Sequence, residues 1–551
     1  MKRNKLLLLI SSVGVLVLLV VAAVQENFLQ EWRRLQGRAA RQTGEMDVRL
    51  RQVVVPALRA TDRCVSCHTG MAPDGAAVAG DRVLGPHPRM PHDPAQLGCT
   101  ACHAGQGQAT QREEAHGTAP FWPRPMIPRA YAEAGCGTCH THLEVPNLEA
   151  LRHGLRLVER HDCLACHRLD SRGGTQRPGG GGGMEGPDLS LAGARGYRAD
   201  WYEVHLQKRA AGQGAWAGSF GEIPPTDRQA IDVVLRSRVG APRLVEAKAL
   251  FHSRGCRGCH KVGGIGGDDG PDLTQAGMRD PGQTDFSRVA EGRSLPGWFK
   301  EHFRDPAGTV PGSRMPAMGL SEEEIDLLTL YVLSLRTSEF PEAYWPNDRI
   351  RALRFGASEF ARDGETLYGT FCAACHGTRG QGMRYAGMPP FPAIASPGFL
   401  ALASDGFVAQ TIARGRPARR MPAWGHAQGL TPEEIRAVIA HVRQLGGGVQ
   451  AEDLGDPQAR MSGDPQAGAA LYQRNCGACH GPQGEGVEGP ALANPVFLSS
   501  ASDAYLAATV GRGRPGTSMP SFATATLTQA ALSEREVADI VTHIRSWEVG
   551  R

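Results

Sequence analysis

Cys64-Val65-Ser66-Cys67-His68 is a five-residue stretch that recurs six more times: Cys99-Thr100-Ala101-Cys102-His103, Cys136-Gly137-Thr138-Cys139-His140, Cys163-Leu164-Ala165-Cys166-His167, Cys256-Arg257-Gly258-Cys259-His260, Cys372-Ala373-Ala374-Cys375-His376 and Cys476-Gly477-Ala478-Cys479-His480. The chain has 14 cysteines, and these seven copies use all of them. C-x-x-C-H is the spacing of covalent c-type haem attachment. Two thiols three positions apart each form a thioether to a haem vinyl group, and the next residue brings an imidazole to the iron. A zinc site does not require a histidine after every second cysteine. A redox-active CxxC would occur once, near a βαβ pattern, and a disulfide framework would not place every pair three apart. The sequence therefore predicts seven c-type haems with His68, His103, His140, His167, His260, His376 and His480 as proximal iron ligands.

Composition is consistent with this and narrows the partners. With 60 basic and 56 acidic side chains among 551 residues, the formal charge is +4, too balanced for a nucleic-acid partner. Aromatics are 6% and glycines number 70, so large aromatic cores are not expected. Haem fills much of a small core, and glycine lets loops wrap closely around it.

Lys2, Arg3 and Lys5 precede an apolar run of 19 residues, Leu6 to Val24. That is close to the roughly 20 residues that span a bilayer, and the preceding positive charge puts the N-terminus in the cytoplasm. A cleaved signal peptide is the alternative, with Val21-Ala22-Ala23 as a small-residue site, but its apolar core is normally about 7–15 residues. The reading is an uncleaved inner-membrane anchor at residues 1–24, a polar juxtamembrane segment at 25–56, and haem domains in the periplasm.

The first three motifs lie within 77 residues, Cys64 to His140, too little chain for three domains. They are expected to share one compact trihaem segment, 57–148, with little regular structure around its many Pro and Gly residues. The other four motifs are spaced 93, 116 and 104 residues apart, an internal repeat at domain size. The expected units are 149–240 (degenerate), 241–340, 356–448 and 464–551. Units four and five share Gly186-Pro187-Asp188-Leu189 and Gly270-Pro271-Asp272-Leu273. Units six and seven share Leu-Tyr before the motif, Arg-Gly-Arg-Pro after it, and a closing helical pattern (Ile435, Val438, Ile439, Val442; Val537, Ile540, Val541, Ile544). Stretches 341–355 and 449–463 read as linkers.

These four units resemble class I cytochrome c domains: helix, haem motif, loop, Met-Pro segment, closing helix. The last two are similar to the paired domains of haem–copper oxidase cytochrome subunits. The first 170 residues resemble exported, membrane-anchored multihaem cytochromes. The implied fold is mainly α with much irregular loop, tandem class I cytochrome c-like domains plus a compact trihaem segment behind one transmembrane helix.

The open question is the opposite face of each iron. In a class I domain the ligand is a Met before Pro. Met315-Pro316, Met421-Pro422 and Met519-Pro520 lie 59, 49 and 43 residues after the first haem cysteine of units five, six and seven. The fourth unit has no such pair; His153, His161, Met184 or an open position remain alternatives there. The trihaem segment lacks Met-Pro signals but has histidines nearby, so its haems are expected to be bis-histidine, with His87, His92, His116, His142 and His153 as candidate distal ligands. His441 and His543 occupy the closing-helix position of Tyr331 and read as packing residues. His252 and His426 read as solvated surface, His205 and His302 as surface or propionate-facing.

Imidazole pairs favour lower haem potentials and thioethers higher ones. The expected role is an electron-transfer wire, carrying electrons from a membrane quinol-oxidising partner to an exported acceptor or terminal reductase. The alternatives are a quinol dehydrogenase acting through the N-terminal haems, and a reductase with an open fourth haem. No catalytic residue is assigned, and ligand types favour outward flow only modestly.

Overall fold

The computed structural model describes the whole chain except residues 1, 45, 89, 175–185, 196–199, 201–203, 205–222, 291, 427–428, 528 and 549–551. Met184 and His205 thus lie outside the described residues. The fold is mainly helical, with two short hairpins, Val53–Val55 with Ala60–Asp62 and Arg168–Leu169 with Arg172–Gly173.

The N-terminal helix Lys2–Phe28 is long and apolar enough to cross a membrane, and none of its most apolar window is buried against the rest of the protein. After Leu29 and Gln30 the chain re-enters a helix, Glu31–Thr43, which turns Trp32, Gln36 and Ala39 inward. Gly44 ends it in the left-handed region (φ 89°), a conformation that glycine adopts without penalty.

Each of the last four units has the same frame. A helix leads into the haem motif and a closing helix crosses it: Leu148–Arg160 with Pro225–Arg236, Pro242–Ser253 with Glu322–Ser334, Gly364–Phe371 with Pro432–Leu445, and Pro465–Asn475 with Glu534–Arg545. The crossing is tight because of one small residue eight or nine places before the first haem cysteine. A Cβ on Gly154, Gly364 or Gly468 would strike the backbone carbonyl of Ala230, Ala437 or Asp539 on the closing helix. Unit five has the fully buried Ala247 at this place. Three closing helices start on a capping box, Ser321/Glu324, Thr431/Glu434 and Ser533/Glu536, which satisfies otherwise orphaned backbone donors at both ends of the box.

The cores do not follow the unit boundaries read from sequence. The largest apolar cluster runs from Ile127, Tyr131, Ala134 and Val145 of the trihaem segment through unit five and into Leu367, Phe371 and Ile439 of unit six. The first motif instead sits in a small separate cluster of Val53, Val55 and Val65 with Cys99. His252, read as surface, is 3% exposed, with Nδ1 3.3 Å from Thr370 Oγ1 and its ring against Phe360. Its helix packs on the closing helix of its own unit and on the leading helix of unit six, so no face is left for solvent. The stretch 341–355, read as a linker, carries the helix Asn347–Phe355.

A buried ionic knot joins three segments. Glu359 accepts from Lys248 Nζ at 2.7 Å and pairs with Arg257, Lys248 Nζ also donates to Leu143 O, and Val145 N donates to Glu359 O at 2.6 Å. Burial raises the Glu359 pKa, but Lys248 and Arg257 outweigh it and hold the group at about 2.

Candidate haem sites

No disulfide joins any of the fourteen motif cysteines, and among them only Cys479 is exposed. In every motif the histidine amide donates to the carbonyl of the first cysteine at 2.9–3.0 Å, so each C-x-x-C-H is one tight turn presenting two thiols and an imidazole together.

An iron-binding imidazole needs one ring nitrogen for the metal and a partner for the other. Six of the seven motif histidines show that partner at Nδ1, which leaves Nε2 as the nitrogen that can bind iron. His167, His260, His376 and His480 each meet a proline carbonyl (Pro187, Pro271, Pro392, Pro490) at 2.8–2.9 Å. His68 meets Val83 O at 3.1 Å. Glycines preceding three of those prolines make the approach possible, since a Cβ on Gly186, Gly270 or Gly489 would strike the imidazole of His167, His260 or His480. Burial lowers the pKa of His68, His103, His260, His376 and His480, keeping them in the neutral form that binds metal.

His140 differs. Its Nδ1 is 2.7 Å from Asp348 Oδ1, and His142 N donates to Asp348 Oδ2 at 3.1 Å. Asp348 is 8% exposed; burial raises its pKa, but the His140 hydrogen bond and charge outweigh that and hold the carboxyl below its ordinary range.

The candidate distal histidines separate clearly. With metal–nitrogen bonds of about 2 Å, two imidazoles on opposite sides of one metal have ring centres about 6 Å apart. His116 lies 6.5 Å from His68, His87 6.1 Å from His103, and His92 5.9 Å from His140, centre to centre. Among the described residues no three His, Cys, Asp or Glu side chains converge into a metal cage; these imidazoles come in pairs. The residues therefore fit a porphyrin iron held from two sides. His142 is not brought to a motif histidine: its Nδ1 lies 2.8 Å from Thr141 Oγ1. His153 stands exposed on the helix Leu148–Arg160, and His161 Nε2 reaches Asp227 Oδ2 at 3.4 Å.

The three Met-Pro segments sit on matching loops. Arg416 N donates to Met421 O and Arg514 N to Met519 O, both at 2.9 Å. Gly415 (φ 63°) and Gly513 (φ 67°) let these loops close, because a Cβ there would strike the Met421-Pro422 and Pro520 backbone. In unit five Met315 N bonds to Ser313 Oγ at 3.2 Å. His302 stacks on Trp298 at 4.9 Å with a buried, unpartnered Nδ1; burial, then His260 and Arg279, push its pKa down to about 4. That orphaned donor is the kind of group a haem propionate would engage. His441 and His543 pack on Tyr368 (5.4 Å) and Tyr472 (5.5 Å), and His426 is exposed.

The motifs also touch one another. The side chains of Cys64 and Cys99 lie beside each other, as do those of Cys259 and Cys375. Asp62, 1% exposed and two residues before the first motif, caps the second through Cys99 N (2.5 Å) and Thr100 N (2.9 Å). A Cβ on Gly135 would strike Cys102 O, one on Gly137 would strike Ser334 O of the unit-five closing helix, and one on Gly255 would strike Ala374 N. Contact thus runs from the first motif to the second and third, then into unit five and on to the sixth motif. Asp348, Glu359 and the small residues at these contacts were not singled out from sequence; only Gly186 and Gly270 had a repeat signal, in Gly-Pro-Asp-Leu.

Residues 244–336 match the family described as Cytochrome c, and residues 359–442 and 463–544 match Cytochrome C oxidase, cbb3-type, subunit III. The chain is similar to the cbb3-type cytochrome c oxidase subunit FixP of Bradyrhizobium sp. (strain ORS 278), 34% identical over 169 residues, 29% of this chain and 53% of that one. It is also similar to subunit CcoP of Azospirillum brasilense, 29% identical over 253 residues, 45% and 76% of the two chains. The chain spans about half the length of the first curated relatives it matches (53%). Among solved structures, a thiosulfate dehydrogenase (TsdBA) from Marichromatium purpuratum aligns at 18% identity and TM-score 0.18, over 72% of this chain and 91% of that one. Repeated haem-attachment turns, neutral buried imidazoles, the apolar N-terminal helix and these family matches converge: the chain is a membrane-anchored multihaem c-type cytochrome built on tandem cytochrome c domains.

Proposed function

We propose that the protein carries seven haems and works as an electron-transfer wire on the periplasmic face of the inner membrane, from a membrane quinol-oxidising partner to an exported acceptor or terminal reductase. The observation that carries this reading is the ligand asymmetry along the chain. His68–His116, His103–His87 and His140–His92 stand as imidazole pairs about 6 Å apart, whereas units five to seven offer Met315, Met421 and Met519 on Met-Pro loops. Bound haem supplies one-electron iron chemistry. The chain's residues set its energy: paired imidazoles stabilise ferric iron and thioethers ferrous iron, so electrons fall from the N-terminal to the C-terminal part.

Contact between motifs supports passage without long gaps: the third motif meets the unit-five closing helix directly at Gly137 and Ser334, so among the described residues the route need not cross the fourth motif. The fourth haem site is then a branch from the route. Its distal ligand is not assigned.

Redox titration followed by low-temperature EPR tests the reading. Three bis-histidine signals titrating below three His–Met signals are expected; His–Met haems reduced at the lowest potentials would overturn the direction.

A second reading, quinol oxidation by this chain alone, is favoured by one contact. The fully buried Gln36 of the juxtamembrane helix donates to Ser66 O inside the first motif at 2.9 Å and exchanges hydrogen bonds with Arg49. This fixes the first haem site to the helix that leaves the membrane. Oxidation of a menaquinol analogue by the purified chain would favour it; no turnover without a membrane partner would sink it.

A further inference from the structure

We propose that Asp269 is a positioning residue that couples two methionine loops, holding Met315 and Met421 in place together across the boundary of units five and six. This rests on the reading of those methionines as iron ligands and deepens it.

Arginine precedes the methionine in both loops, Arg314-Met315-Pro316 and Arg420-Met421-Pro422. Both guanidinium groups close on one carboxylate. Arg314 pairs with Asp269 Oδ1; Arg420 pairs with Oδ2, its Nε at 2.5 Å. Arg420 Nη2 also donates to Arg314 O at 3.0 Å, the peptide that enters Met315, and Nη1 reaches Met388 Sδ at 2.8 Å. The loops are thus joined by a carboxylate and by a direct side chain-to-backbone bond.

Burial decides which pair matters. Asp269 is 13% exposed and Arg420 24%, but Arg314 is 68% exposed. Solvent screens the Arg314 pair, so the Arg420–Asp269 pair holds the loops and Arg314 contributes mainly through its carbonyl. Asp269 is fixed from its own side too. Gly270-Pro271 follow it, and Pro271 O receives His260 Nδ1. One short segment therefore reaches the proximal imidazole of the fifth site and both distal loops.

Unit seven lacks the device. Ser518 precedes Met519, and the residue matching Asp269 before Gly489-Pro490 is Glu488, which pairs with the exposed Arg384 instead. Met519 is an internal control.

Ferric His–Met haems take up imidazole when the methionine loop opens, so imidazole affinity reads the opening equilibrium. The experiment titrates the full-length, haem-loaded chain with imidazole while following His–Met signals by EPR and absorbance; Met519→His identifies the seventh site. Asp269→Asn is expected to raise imidazole affinity about tenfold at two sites together and to leave the third unchanged. Arg420→Gln should do the same, and Asp269→Glu should restore most of the wild-type affinity. Unchanged affinity at all three sites, or a change at only one of the two, would overturn the coupling. A wild-type chain with no His–Met signals overturns the methionine reading itself, and shows this before any substitution is made.

Discussion

The trihaem segment and the C-terminal units use the same five-residue turn and surround it in opposite ways. In units four to seven the frame is local: a leading helix, a closing helix and a small residue where they cross, all within about a hundred residues. In the trihaem segment little is local. The first motif depends on the juxtamembrane Gln36, the second on Asp62 from before the first, the third on Asp348 from beyond unit five. A self-contained unit can be recognised by its pattern; a segment completed from elsewhere cannot.

The sharpest way to break this contrast is at the ionic knot where the two regions meet. Glu359→Gln leaves Lys248 and Arg257 buried without their counter-charge and should cost about 3–5 kcal/mol. Chemical denaturation followed at N- and C-terminal haem signals should then give two separated transitions, where the wild type gives coincident ones for the shared core. The pH dependence has a definite sign. The Glu359 carboxyl is depressed from 4.5 to about 2, so its contribution is full above about pH 4.5 and is lost as pH falls toward 2. The Gln variant should lose that dependence.

Exchanging ligand types tests the proposed potential difference directly. His116→Met should raise the potential of one N-terminal haem by on the order of 100 mV, moving it toward the C-terminal group in a redox titration. An unchanged bis-histidine EPR count would remove His116 from the ligand set.

Asp348→Asn asks whether the charged partner of His140 makes the third site differ from its neighbours. A carboxylate on Nδ1 stabilises ferric iron more than a carbonyl does. Replacing it should raise one potential by about 60 mV, a tenfold change for one electron, with all haems retained. Least of all, Ser533→Ala removes a capping box from unit seven. It should lower that unit's stability by about 1 kcal/mol and leave the trihaem signals untouched.

The residues that carry covalent chemistry were legible because chemistry fixes their spacing. C-x-x-C-H cannot stretch, and a Met-Pro loop recurs in three of the four units that share the frame. The closing helices of units six and seven were legible from their apolar period. The partners of the trihaem histidines were readable only as a cluster: His87, His92 and His116 lie in loops whose folding no periodicity encodes, so their pairing needed three dimensions, and His142 and His153 were equally plausible on paper. Asp348 and Glu359 lie in or beside a stretch that reads as linker, since a single charged residue in a polar connector gives no sign that it returns more than 200 residues to a haem site. His252 misled for a related reason. Its polarity suggests solvent, while its helix is enclosed by two units at once.

The parallel bridge between Val145 and Phe360 has a consequence for biogenesis. On the proposed periplasmic placement, residues 359–360 would cross the membrane well after the third motif. A third haem would then be attached before Asp348, Glu359 and Phe360 arrive, and its final surroundings, with the junction to unit five, would close only when that strap follows.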